Sequence, residues 1–151
     1  MPITLHDAFV PTAQQILRAV RGLVDKAERH CAENGVADSE LIEARLADDM
    51  WPLPWHVRSC WVHSGYAINR FKTGVFTPDF TDIPDDWDAM RDQIDDALTQ
   101  LDAITPDTLE ELAPQTVGFE LGGQRLMEMT GQNFLLSFTQ PNLFFSCLHI
   151  L

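Results

Sequence analysis

The sequence predicts an all-α fold of four main helices with a small β-hairpin before the last of them. Three observations carry that reading. Long stretches place apolar residues at helical spacings of three and four. Only Thr116 to Leu121 shows the alternation of a half-buried strand, and Gly122-Gly123 follows it as a tight turn. No window has the ~18 consecutive apolar residues that a membrane-crossing helix needs.

The first helix is expected over Pro11 to Glu33, where Ile16, Leu17, Val20, Leu23, Val24 and Ala27 form one face and Asn34-Gly35 supplies the stop. A short helical piece should follow over Ser39 to Ala47, capped by Asp38 or Ser39. The second helix opens at Met50-Trp51-Pro52, where proline costs little, and runs to about Phe71. A connection rich in proline and aspartate, Thr73 to Asp86, leads to the third helix, with Trp87, Met90, Ile94, Leu98 and Leu101 on one stripe. Thr105-Pro106 ends it. After a short turn to Leu112, the hairpin pairs Thr116–Leu121 with Gln124–Met129. The last helix begins near Gly131, and Pro141 inside it should produce a kink near Phe138.

The length of 151 residues suits a single domain spanning the whole chain and needing no disulfide. With 23 acidic and 10 basic residues the formal net charge is -13. Such a field repels phosphate backbones and anionic membranes, so neither nucleic acid nor a membrane is an expected partner. The aspartates from Asp82 to Asp96 read as a solvated helix face, because none has calcium-loop spacing. Cys31, Cys60 and Cys147 are odd in number and lack CxxC spacing, which fits a reducing compartment. The first residues, Met1 to Asp7, have no basic segment or long apolar run of a signal peptide, so the cytoplasm is the expected location. The apolar, uncapped end at Leu151 suggests either a covering partner or a longer natural chain.

Chemistry-bearing residues concentrate on the second helix. His56, Ser59, Cys60, His63 and Tyr66 recur at spacings of three and four and form a polar strip suited to a pocket wall. Trp55 adds an aromatic group, and Phe138 and Asn142 face the strip from the last helix. His56 and His63 stand two turns apart, ~10 Å between Cα atoms, too far to share one metal comfortably. A divalent ion, zinc or nickel, would need His63 with His149 and a third donor, Cys147 or His56. Core or surface histidines are the plainer reading. Cys60 beside His63 has the spacing of an activated thiol, against the commoner fate of a buried, inert cysteine. Phosphate loops, nucleophile elbows and HExxH zinc motifs are missing from the sequence.

Three segments carry a family likeness: Arg45-Leu46-Ala47-Asp48-Asp49-Met50-Trp51-Pro52-Leu53, Phe119-Glu120-Leu121-Gly122-Gly123-Gln124, and Thr130-Gly131-Gln132-Asn133-Phe134-Leu135-Leu136 with Gln140-Pro141-Asn142-Leu143-Phe144-Phe145. With them the chain resembles the DinB-like superfamily, a group that includes metalloenzymes, and within it a bacterial branch of unknown function. The resemblance implies an up-down four-helix bundle with one long crossover, a homodimer formed by helix packing, and a ligand pocket in the bundle. Other DinB-like proteins, thiol-dependent transferases among them, hold a divalent metal with one histidine of the second helix and two of the last. Only His63 or His56 matches the first. The branch's histidine after its P-N-F-x-F run is Ser146 here, with His149 a turn later, so the implied metal site is degenerate or absent.

Three functions follow as expectations. One is a metal-dependent transferase or hydrolase using a thiol or metal-bound water. Another is a binding module for an apolar or aromatic small molecule near Trp55, Trp61, Tyr66 and Phe138. The last is a structural homodimer whose aromatic residues form the interface.

Overall fold

The computed structural model describes residues 3–150. Met1, Pro2 and Leu151, and with Leu151 the expectation of an uncapped chain end, lie outside the described residues.

Helix α1 runs Leu5–Asn34, starting six residues before the expected Pro11. The Thr4 side chain caps it by accepting from the Asp7 amide, and Leu5 and Phe9 extend the buried stripe of Ala13, Leu17, Val20 and Val24. That added burial and capping outweigh the hydrogen bond that Pro11 removes from the helix interior. Gly35, at φ 65°, ends the helix in the left-handed conformation, its amide donating to the Cys31 carbonyl. Helix α2 is only Asp38–Ile42, shorter than the segment expected to reach Ala47.

The second long helix is not a uniform α-helix. Helix α3, Leu53–Trp61, passes into a π-helical segment, Val62–Tyr66, and then into α4, Ala67–Phe71. Strand β1, Val75–Phe76, follows. Helix α5, Trp87–Ala103, is capped by Asp86 and buries the expected stripe of Trp87, Met90, Ile94 and Leu101. Helix α6, Pro106–Leu112, has Thr105 as its cap and proline in its first turn. The hairpin pairs β2, Thr116–Leu121, with β3, Gln124–Thr130. Gly122 and Gly123 both take positive φ, 58° and 78°, as a two-residue hairpin turn requires. The last long helix consists of α7, Gly131–Asn133, a second π-helical segment, Phe134–Thr139, and α8, Gln140–Leu148.

The molecule is therefore mostly helical with one small sheet. That sheet has three strands, because β1 adds in parallel to β2 with Val75 beside Gly118 and Phe76 beside Phe119. Helix α1 packs on α5, α6 and α8, while α3 packs on α5 and α8. One continuous cluster of buried side chains, including Phe9, Leu17, Ile68, Ile94, Phe134 and Leu143, lies between them. Phe76 joins the sheet to the helices, its ring 5.1 Å from Phe134, 5.8 Å from Phe138 and 6.0 Å from Phe119. Among the described residues, no helix is long and apolar enough to cross a membrane.

Candidate functional site: a cleft between two unwound helices

The second and last long helices each depart from α geometry where they face one another. In the second, His63 carries φ -93° and ψ 21°, outside helical values. Two local features account for this kink. The Ser64 hydroxyl donates to the Cys60 carbonyl at 2.5 Å inside the core, and Gly65 follows it. A hydroxyl competing for a helix carbonyl next to a glycine bends helices in this way. In the last helix Pro141 has no amide hydrogen to return to the preceding turn, and the turn before it widens. The disturbance expected near Phe138 is thus a π-helical segment containing Phe138, with Pro141 itself in the first turn of α8. Single π turns occur often at functional sites.

Between these helices lies a cavity of about 180 Å³ lined by Trp51, His56, Ser59, His63, Phe80, Asn142, Phe145 and Ser146. Its polar groups are fixed from both sides. The Ser146 hydroxyl donates to Ser59 Oγ at 2.7 Å in a buried bond linking the two helices. Asn142 Nδ2 donates to the Phe138 carbonyl at 2.6 Å, leaving the amide oxygen uncommitted. His63 is 7% exposed, and its Nδ1 is buried without a hydrogen-bond partner. Trp51 and Phe80 form one aromatic wall with Trp55 behind them. The Trp51 ring lies 4.8 Å from Trp55 and 5.7 Å from Phe80. Phe80 arrives on the long connection, which the buried Arg58 anchors: its Nε donates to the Asp79 carbonyl at 3.1 Å and its Nη2 pairs with the Asp79 carboxylate at 3.3 Å.

A second compartment of about 290 Å³ opens on the other side of Trp51 and His56. Arg45, Leu46, Leu53, His149 and Ile150 line it. Here the His56 and His149 rings lie parallel, 8° between planes with centroids 4.9 Å apart. Each has one nitrogen committed to a backbone carbonyl: His56 Nε2 donates to Trp51 at 3.1 Å and His149 Nδ1 to Phe145 at 2.6 Å. A carbonyl can only accept, so both ring tautomers are set, leaving His56 Nδ1 and His149 Nε2 as acceptors when the rings are neutral. Burial, reinforced by the neighbouring His149, holds the His56 pKa below the usual imidazole range. Burial alone lowers His63 to about 4.

The structure thus places His56, His63 and Asn142 at one cavity, with Phe138 under His63 at 5.8 Å between ring centroids. Trp55, Cys60 and Tyr66 fall elsewhere. Trp55 stacks behind Phe80 at 6.0 Å and lines a different groove with Pro54 and Ile83. Tyr66 donates to the Thr77 carbonyl at 2.8 Å and packs on Trp61, because the intervening π turn rotates it off the strip that α-helical spacing would make. Cys60 is fully buried, and burial pushes its thiol pKa well up, so it is no activated nucleophile for His63. The signals missed in the sequence were Trp51, Phe80, Phe145 and Ser146. Trp51 and Phe145 lay inside quoted motifs, Ser146 directly after one, and Phe80 depended on the course of a loop.

The divalent metal implied by the family likeness does not fit these donors. Among the described residues, no three histidine, cysteine or carboxylate side chains converge. His149 stacks on His56 rather than joining His63 at the inner cavity, and Cys147 lines a separate apolar groove with Ile16, Phe144 and Leu148. Where α8 meets α3 at the cavity, the facing groups are two neutral hydroxyls, poor donors for zinc or nickel.

The comparisons with known proteins agree with the fold. The crystal structure of a DinB family member protein from Shewanella denitrificans is similar over 97% of this chain and 82% of that one, with a TM-score of 0.79 and 21% sequence identity. At that identity the likeness establishes the fold. Among curated proteins there is no match. The family model described as "Domain of unknown function (DUF1993)" matches residues 5–150, nearly the whole chain, and the protein belongs to that family.

Proposed function

We propose that this protein is a metal-independent small-molecule-binding module, built as a single up-down four-helix bundle, whose ligand lies between α3 and α8. The observation that carries this reading is the inner cavity between α3 and α8, with His63 of the first π-helical segment in its wall. A cavity of roughly 150 Å³ accommodates a single benzene ring, so the inner compartment suits one ring or a group of similar bulk. With the outer compartment the cleft reaches the roughly 300–1,000 Å³ typical of small-molecule sites, and it combines aromatic walls with a few oriented polar groups as such sites do.

A thermal-shift screen of single-ring and small branched compounds tests the reading on wild type, Ser146→Leu and Trp51→Ala. Ligands that bind only the folded protein raise its melting temperature by an amount that grows with the logarithm of ligand concentration over Kd. Compounds stabilising the wild type are expected to lose most of that effect in Ser146→Leu, which fills the cavity, and in Trp51→Ala, which opens its wall. Equal shifts in all three proteins would place the binding elsewhere and refute the proposal.

The module is also proposed to work as a homodimer. Phe144 and Leu148 of α8 are 41% and 66% exposed beside the apolar groove formed with Ile16, and a second copy covering them would remove that surface from water. Sedimentation velocity over a dilution series should show a dimer for wild type and a monomer for Leu148→Glu. A monomer for wild type at every concentration would contradict it.

A further inference from the structure

We propose that the inner compartment selects a small organic cation, an alkylated or protonated amine, over neutral and anionic molecules of the same size. This rests on the binding-module reading above and adds the class of ligand.

The walls are the first argument. Trp51, Phe80 and Phe145 contribute three aromatic rings to one cavity of about 180 Å³. Aromatic faces carry negative potential, and cages of several rings are the usual protein solution for binding organic cations without a carboxylate. Trp51 is 48% exposed, so its ring can be reached from solvent.

The polar groups are the second argument. Lysine, arginine and carboxylate residues do not line the inner cavity, so neither a fixed positive charge repels a cation nor an acid pair is needed to explain its shape. The hydrogen bond from His56 Nε2 to the Trp51 carbonyl leaves Nδ1 as an acceptor. The bond from Asn142 Nδ2 to the Phe138 carbonyl leaves its amide oxygen free to accept. His63 adds a buried imidazole whose Nδ1 has no partner. An N–H donor or a polarised N-methyl group complements the His56 Nδ1 and Asn142 amide oxygen acceptors, whereas a carboxylate would enter a cavity whose lining holds no lysine or arginine to balance its charge.

Long-range electrostatics are the third argument. The formal net charge of -13 raises the local concentration of cations around the whole surface. Arg45 lines only the outer compartment and donates to the Met50 carbonyl at 2.7 Å, while the Arg58 guanidinium beside the Phe80 segment is paired with Asp79, so neither places a free positive charge in the inner cavity.

The test is a tryptophan-fluorescence titration of the full chain with three probes: choline, its uncharged tert-butyl analogue and benzoate. Trp51→Leu and Ser146→Leu are titrated alongside, with circular dichroism confirming that each is folded. Choline should bind at least about tenfold more tightly than the uncharged analogue, benzoate should bind weakest, and both variants should lose the choline response. The analogue or benzoate binding as tightly as choline, with the response still lost in Ser146→Leu, would overturn the cation assignment while leaving a binding cleft. If no probe binds, or binding persists in both variants, the cation proposal falls, and the thermal-shift screen above decides separately whether the cleft binds anything.

Discussion

Replacing Gly65 by valine is expected to destabilise the fold by about 3 kcal/mol or more, among the largest effects of any single substitution here. A Cβ at Gly65 would lie 2.6 Å from the Ala97 Cα and 3.0 Å from its carbonyl oxygen. Those are backbone atoms of α5, so no side chain can swing aside and the helix itself must move. Gly65→Ala should cost less than valine but still exceed the few tenths expected of an exposed position. The consequence extends beyond stability. Gly65 sits two residues after His63 in the π-helical segment, and its close seat against α5 holds the kink that turns His63 toward the cavity. Urea denaturation supplies the stability change, and a valine variant as stable as wild type would mean that the first π-helical segment and α5 pack more loosely than described.

Acidification should destabilise the wild type through His63 by about 3 kcal/mol between neutral pH and about pH 4. The folded-state pKa is near 4, against an ordinary value of 6.5, because burial disfavours the charged ring. The unfolded chain therefore takes up a proton first. Stability from the neutral, buried ring is fully present above the ordinary histidine pKa and drains away as pH falls through the folded one. His63→Leu retains the bulk and removes the titration, so the difference between variant and wild type should grow in the leucine protein's favour as pH falls. Asp25 and Asp79 are held below the usual carboxylate range mainly by their hydrogen bonds, from Arg91 and Thr81 respectively, and add losses at lower pH that both proteins share. Parallel denaturation curves at a series of pH values measure the difference. A gap that stays constant would show that His63 titrates as an exposed residue.

Much of this architecture was legible because it depends on local spacing. The α5 stripe from Trp87 to Leu101, its end at Thr105-Pro106 and the Gly122-Gly123 turn each follow from residues close in sequence. What escaped depends on distant partners. The start of α1 was misplaced because proline is a strong local signal, while the burial of Leu5 and Phe9 that overrides it comes from packing. Strand β1 is two residues long, too short for any periodicity, and exists only because β2 lies beside it.

The site divides along the same line. His56 and His63 could be placed on one wall because α-helical spacing holds approximately between them. Tyr66 could not, since the π turn adds a residue to the helix before it and changes its direction. Phe80 comes from a segment whose course is set by Arg58 gripping Asp79, a contact between residues 21 positions apart. The pairing of His149 with His56 instead of His63 likewise reflects how α8 aligns with α3 after its own π-helical segment. Resemblance to a family of metal-binding bundles supplied the helices but not the ligands, because metal affinity depends on a few convergent donors rather than on the frame that carries them.

The central claim is that the cleft between α3 and α8 binds organic ligands and is not a metal centre. Histidine side-chain nitrogen NMR of untagged protein, recorded while zinc is added to equimolar amount, tests it most directly. The account predicts that the ring nitrogens of His56, His63 and His149 keep their shifts and tautomers throughout. Zinc moving His63 and His149 together to a stoichiometric end point would contradict it and restore the metal-dependent reading.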